Sequence, residues 1–420
     1  MFGLTLDQAP PYKIPLVYYM IATFYLLLLS GVLLFYATHI NTRYDAVAIA
    51  ITHLLTLGFV THAMFGTLFQ MVPVIIGEAY KRVEFMAVML LVTLNFGIIS
   101  FIFSFLLLTD FLNILATLLL FFSLLFFSFY SLITIARTKD KNASVKTILT
   151  SLLFLAVGTV LGALSLLQYS GNYNGVWLGD IHLKVMLFGW VFLLYSGVIY
   201  KILPMFYVAR EYPLWVKNGL YIAISTLLML LFLSTIYELT SVKMIINMLL
   251  ATLLGSFALL TLFILKRRKR ARLDVTVNFF YFANGNLFLG CVLWIASIIF
   301  GFNIDFLLAL VFGLGFVYAI VNAMLYKIIP FLTWFHLSSS CVYEAEMGEV
   351  MKIKRMKIQF YIFTMSYAFF LMSVFFRPLI IVAALLFFLS SLFLFKNIIE
   401  GFLYYKKMIK KTPQYNSQMR

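Results

Sequence analysis

The sequence predicts an all-α, polytopic membrane protein of about twelve transmembrane helices. Three observations predict it: a composition too apolar to be wetted, twelve runs long enough to cross a bilayer, and basic residues gathered at alternate helix ends. Of the 420 residues, 64% are hydrophobic and only 11% are charged. A soluble globular domain has about a quarter of its residues charged, so this chain has too little polar surface to fold in water. No stretch departs from that composition enough to form a separate polar domain. A single transmembrane domain over residues 1–420 is expected.

A bilayer core needs about 20 apolar residues per helix. Such runs lie at about 14–38, 46–76, 83–108, 110–136, 145–169, 178–204, 214–236, 241–266, 277–300, 303–335, 357–376 and 378–404. The first follows a 13-residue lead with no small-residue cleavage pattern and is as long as a full span, so it reads as a helix and not as a signal peptide. If the N-terminus is cytoplasmic, the outer ends hold only Arg43, Lys184, Lys243 and Arg377 of the 31 Lys and Arg residues. The rest fall at inner ends, among them Lys81-Arg82, Arg137 to Lys146 and the block Lys266 to Arg270. This bias predicts an even number of spans with both termini inside, and a bacterial inner membrane is the expected location. The net charge of +16 therefore reflects topology and contact with anionic lipid, and nucleic acid is not an expected partner. The two cysteines, Cys291 and Cys341, imply no disulfide framework.

Spans 2, 6 and 10 share a motif. Gly58-Phe59, Gly66 and Phe69-Gln70-Met71-Val72-Pro73 correspond to Gly189-Trp190, Gly197 and Tyr200-Lys201-Ile202-Leu203-Pro204. They correspond again to Gly315-Phe316, Ala323 and Tyr326-Lys327-Ile328-Ile329-Pro330. The prolines lie four spans apart each time, so the chain reads as three pseudo-repeated four-helix units at about 14–136, 145–266 and 277–404. Small residues eight apart let backbones approach closely in lipid. Each Pro is expected to end its helix at the inner interface, and the Lys before it can snorkel there. A three-by-four plan argues against the six-plus-six carriers.

Ionisable residues inside a bilayer are costly and mark functional sites. His53 lies about a third of the way into span 2 from the outer side, and His182 near the start of span 6 at a similar depth. His62 follows His53 by nine residues, so ordinary α-helical geometry puts the two on opposite faces. His39 and His336 are expected at the outer and inner interfaces. With imidazole the dominant candidate ligand and no Cys cluster, haem iron or copper is the metal these residues would take.

The stretch from Thr52-His53 to Pro73 resembles the second helix of the catalytic subunits of haem-copper oxidases and nitric oxide reductases, where a His near the outer side binds haem b. Ile181-His182 to Trp190 resembles their sixth helix, whose His binds the active-site copper or iron. The resemblance implies twelve helices with both termini inside, and a haem b held by His53, with His62, His182 or His39 as second ligand or none. It implies a propionate contact at Arg377 or Arg43. A working member needs six histidines, whereas this chain has five, with no His-His pair in span 7 and no His in the transmembrane part of span 10. Reduction of oxygen or nitric oxide at the usual binuclear centre is therefore not expected. A divergent relative, similar to oxidase-like and NnrS-type proteins, would work in electron transfer or in sensing or handling a diatomic gas. Its partners would be lipid, a redox protein or the gas. The alternative is a metal-free relative serving as a transporter or assembly partner, with Asn95, Gln168, Asn284, Asn286 and Asn322 lining a path. Topology is checked by reporter fusions: an alkaline phosphatase fusion after Leu239 is expected to be active and one after Lys269 silent.

Overall fold

In hydrocarbon every peptide group must be bonded within its own segment, and the twelve apolar runs accordingly fold as helices. The computed structural model describes residues 8–40, 42–107, 109–170, 176–269 and 274–411. Among them, α1 is Lys13–Tyr36, α3 Val83–Leu107, α4 Asp110–Ala136, α5 Ala143–Ser170, α7 Leu214–Ile236 and α8 Thr240–Lys266. The remaining regular helices are α9 Val275–Phe300, α11 Ile353–Ser373 and α12 Leu379–Ile409. No strand occurs among the described residues.

The three motif helices are different: each is wound as a π-helix in its middle. α2 is α-helical over Ala46–His53, π-helical over Leu54–Thr61 and α-helical again over His62–Met71, closing with a second π segment at Val72–Ile76. α6 runs Val176–Lys184, π over Val185–Phe192, then Leu193–Tyr207. α10 runs Asp305–Ala309, π over Leu310–Tyr318, then Ala319–Ser339. Each of these central π segments ends three residues after the motif glycine, at Thr61 after Gly58, Phe192 after Gly189 and Tyr318 after Gly315. The repeat is thus a repeat of backbone geometry as well as of residue type. These helices are also the interior ones. Of their most apolar stretches, 67%, 83% and 72% are buried, against 28–50% for the other helices that qualify as membrane spans.

Among the described residues, eleven helices are long and apolar enough to cross a bilayer. The twelfth, α11, opens with Lys354, Arg355 and Lys357, so its uncharged part runs only from Ile358 to Ser373. It also starts and ends a few residues before the span expected at 357–376.

Two of the three prolines act close to expectation. The first repeat stops at Ile76, three residues after Pro73, and the second at Tyr207, three residues after Pro204, each followed by a left-handed residue, Gly77 (φ 80°) and Val208 (φ 50°). Pro330 instead lies well inside its helix, which continues to Ser339. A helix in a membrane does better to bend past a proline than to expose the carbonyls of a broken end.

By contact density the chain forms two units, whose borders do not follow the repeat. One comprises Met71–Arg272 and Asn284–Ile304. The other comprises Pro10–Gln70, Leu273–Ala283 and Asp305–Arg420. In the first unit, Asn113 Nδ2 donates to Leu166 O (3.2 Å) and Ser128 Oγ to Leu152 O (2.6 Å), joining α4 to α5. Tyr195 donates to Asn284 Oδ1 (2.9 Å), joining α6 to α9. In the second, Ser30 Oγ donates to Ser391 Oγ (3.0 Å) between α1 and α12, and Ser366 Oγ to Ala383 O (2.7 Å) between α11 and α12.

The motif glycines act through close approach. A Cβ on Gly58 would lie 2.8 Å from Tyr25 Cβ, and one on Gly66 3.0 Å from the Pro15 carbonyl, both on α1. One on Gly189 would lie 2.6 Å from Phe154 Cγ, and one on Gly197 3.3 Å from the Ser144 carbonyl, both on α5. The same pair of helices is therefore clamped in the same way in two repeats. Gly58→Ala and Gly189→Ala are each expected to cost about 1–3 kcal/mol by overpacking, read as a lowered melting temperature in detergent. Gly219→Ala, which meets nothing within 4 Å, is expected to leave it unchanged or raise it.

Candidate functional site

His53 is the last residue of the α-helical lead of α2, immediately before the π segment, and is half-buried. Its Nδ1 lies 2.8 Å from Ile49 O. His62 is the first residue after the π segment and is fully buried. Its Nδ1 lies 3.1 Å from Leu57 O, and its ring sits among those of Tyr25 and Tyr18, at centroid distances of 5.3 and 6.0 Å. His182 lies on α6, one turn before its π segment, with Nδ1 2.8 Å from Gly158 O on α5. A Cβ on Gly162 would lie 2.7 Å from the His182 ring, and one on Gly158 2.3 Å from Met186 Sδ. The Gly158-x-x-x-Gly162 pair is therefore the cradle for His182 and the residue one turn after it.

In all three cases the partner is a carbonyl, which can only accept. The proton is therefore on Nδ1 and the lone pair on Nε2. A backbone carbonyl on Nδ1 is the arrangement that orients an imidazole for a metal through Nε2.

The π segment corrects the relation of His53 to His62. A π-helix bonds i to i+5 and turns less per residue than an α-helix. Eight of the residues between the two histidines are wound this way, so the half-turn offset expected from nine α-helical steps does not hold. The side chains register the change of winding. Thr52 and Thr56 donate to carbonyls four residues back, Ala48 O and Thr52 O, whereas Thr61 Oγ1 and His62 Nδ1 reach five back, to Thr56 O and Leu57 O.

All four basic residues at the lysine-poor ends are engaged. Arg43 Nε lies 3.5 Å from Asp305 Oδ2. Arg377 Nη2 donates to Thr38 O (2.7 Å) and Ile40 O (2.8 Å), pinning the turn that carries the exposed His39. Lys184 Nζ lies 2.7 Å from Asp180 Oδ2, and Lys243 Nζ 3.7 Å from the same oxygen. Lys184 is 8% exposed and sits over the Trp294 ring, so its carboxylate partner matters more than a surface one.

His336, expected at the inner interface, is half-buried near the C-terminal end of α10. It meets the Tyr12 ring edge-on at 5.4 Å, its Nε2 is buried without a partner, and Tyr12 Oη lies 2.7 Å from Thr333 Oγ1. Of the amides expected to line a path, Asn95 Nδ2 donates to Leu91 O of its own helix, Asn284 Oδ1 accepts from Tyr195, and Asn322 Nδ2 donates to Tyr318 Oη.

Sequence reasoning missed a polar group at the centre of the second unit. Asn322 Nδ2 donates to Tyr318 Oη (3.1 Å), and Gln359 Nε2 donates to Tyr318 Oη (3.0 Å) and Ser390 Oγ (2.9 Å). Asn397 Nδ2 donates to Tyr326 Oη (2.7 Å). Gln359 and Asn397 are single carboxamides in spans 11 and 12, and the cost of burying a polar group was signal enough to single them out. Among the described residues no group of three or more His, Cys, Asp or Glu side chains is placed to hold a metal ion.

No protein-family model and no curated protein matches the chain.

The Asp180 ion pairs give a direct test. Asp180→Asn is expected to cost about 3 kcal/mol by leaving Lys184 buried without its counter-charge. The double variant Asp180→Asn/Lys184→Met is expected to recover most of that loss in a melting experiment. Asp305→Asn, whose pair with Arg43 is well exposed, is expected to cost less than about 1 kcal/mol.

Proposed function

We propose that the protein is a haem b-binding membrane protein, related to the haem-copper oxidases but lacking their binuclear centre, that works in electron transfer or in sensing or handling a diatomic gas such as nitric oxide or oxygen. The observation that carries this reading is His53: a half-buried imidazole, proton on Nδ1 toward Ile49 O, at the entry to the π segment of the most motif-rich helix. π segments are frequent at functional sites. Haem is favoured over bare copper by ligand count. The porphyrin brings four nitrogens of its own and needs one or two side chains, whereas copper needs a larger set of protein ligands.

In this reading His53 would hold the haem, which when bound would supply reversible one-electron chemistry and gas binding. His62 keeps its ring between Tyr18 and Tyr25 and its Nδ1 on the π-segment carbonyl. Arg377, held by the neutral carbonyls of Thr38 and Ile40, suits a propionate better than Arg43, which faces Asp305. The basic-residue bias supports both termini in the cytoplasm, and the resemblance to the oxidases a bacterial inner membrane.

A metal-free transporter or assembly partner is the second reading. The buried carboxamides Gln70, Asn322, Gln359 and Asn397 favour it.

Absorption spectroscopy and metal analysis of detergent-purified protein decide between them. A Soret band with stoichiometric iron is expected, lost in His53→Ala and retained in His182→Ala. Colourless protein without iron or copper sinks the haem reading and leaves the second.

A further inference from the structure

The second unit contains four fully buried carboxamides with unpartnered atoms: Asn322 Oδ1, Gln359 Oε1, Asn397 Oδ1 and both amide atoms of Gln70. Turning an amide by 180° exchanges its bonded end for its unbonded one and does not remove the deficit. Native interiors leave few such groups, and one that remains calls for an occupant. In a bilayer interior no bulk water is present to supply it.

Three of the four amides follow a path. Tyr318 is the last residue of the π segment of α10, and its ring lies 5.6 Å from that of Phe59 in the π segment of α2. Asn322 and Tyr326 follow at intervals of one turn, so the three residues extend about 12 Å along α10. Across from them are Gln359 of α11, and Ser390 and Asn397 of α12, two turns apart on one face. Next to Tyr326, Lys327 Nζ lies 3.2 Å from Asp274 Oδ2, and that carboxylate is about a third exposed. These polar groups therefore follow α10 from Tyr326, next in sequence to the partly exposed Lys327, to Tyr318.

We propose that these side chains hold a chain of ordered water running from the Asp274–Lys327 pair to Tyr318, giving solvent and its protons access to the place where the π segments of α2 and α10 meet. Water fits where a metal cation does not. The set contains both donors and acceptors, and no carboxylate stands among Tyr318, Asn322, Gln359, Ser390, Tyr326 and Asn397 to compensate a buried positive charge. Tyr318 Oη receives two amide N–H groups and also bonds Ser390, so the atoms left for water are the amide oxygens Asn322 Oδ1, Gln359 Oε1 and Asn397 Oδ1, each of which accepts a water proton. The inference is independent of whether haem is bound.

Synchrotron hydroxyl-radical footprinting of the full-length purified protein tests it, because water bound beside a side chain is radiolysed in place and hydroxylates it. Tyr318 and Tyr326 are expected to be labelled several-fold faster than Tyr19 and Tyr212, which are equally buried but bonded to Thr67 and Thr261. Asn397→Leu is expected to slow labelling of Tyr326, and Gln359→Leu that of Tyr318, with Tyr212 unchanged. If either variant does not fold, the comparison within the wild-type protein still decides. Rates at Tyr318 and Tyr326 no higher than at the two control tyrosines overturn the proposal. Rates that fall when sodium chloride replaces choline chloride overturn it in favour of a cation site.

Discussion

The constraint on which this structure depends is that a backbone inside hydrocarbon must bond every carbonyl it frees. In an ordinary span the α-helical ladder meets it without further help. The three motif helices leave that ladder at equivalent places, and their sequences supply partners there. In α2 the donors are Thr61 and His62, reaching back five residues to Thr56 O and Leu57 O. The same constraint explains why α10 runs on past Pro330 to Ser339. His62 thus has structural work whatever it binds: it is a buried donor matched to a carbonyl within the π-wound stretch.

A second consequence concerns charge. The four basic residues that break the lysine bias are the ones most in need of local partners, and each has one. Asp180 serves two lysines, Asp305 serves Arg43, and two backbone carbonyls serve Arg377. Asp180 and Lys184 flank His182 on α6. The polar end of that helix is therefore a compact group held against α5 and α8, and its geometry depends on all of its members.

The helices were legible because their signal is simple: about 20 apolar residues and a break, with charge at the break. Eleven spans and their limits follow from it to within a few residues. The π segments were not legible, because the gain of one residue per turn changes no residue type. Residues 54–61 read as apolar under either winding. That single omission misplaced His62 relative to His53, since a face assignment accumulates the error of every residue between two positions. Pro330, which its helix passes to reach Ser339, misled for a related reason. A rule learned from water, where a broken helix end is solvated, does not carry into a medium where it is not. The glycines were read correctly as close-approach positions, and only the structure could name Tyr25 and Phe154 as the side chains that fill the space.

The repeat also shows how one scaffold position can be put to different use. At the residue three before the proline, the second and third copies carry Lys201 and Lys327, the first exposed and the second paired with Asp274. The first copy carries Gln70, fully buried with neither amide atom bonded. A lysine there could not be withdrawn from solvent without a counter-charge, whereas a glutamine can, provided something polar meets it. Exchanging Lys for Gln thus moves this position from the interface into the interior. The two readings of the protein part at this point. A haem protein needs its imidazoles in place and treats buried amides as accessory, whereas a transporter needs the amides and can spare the imidazoles. The first repeat, which holds both His53 and Gln70, is where substitution separates the two.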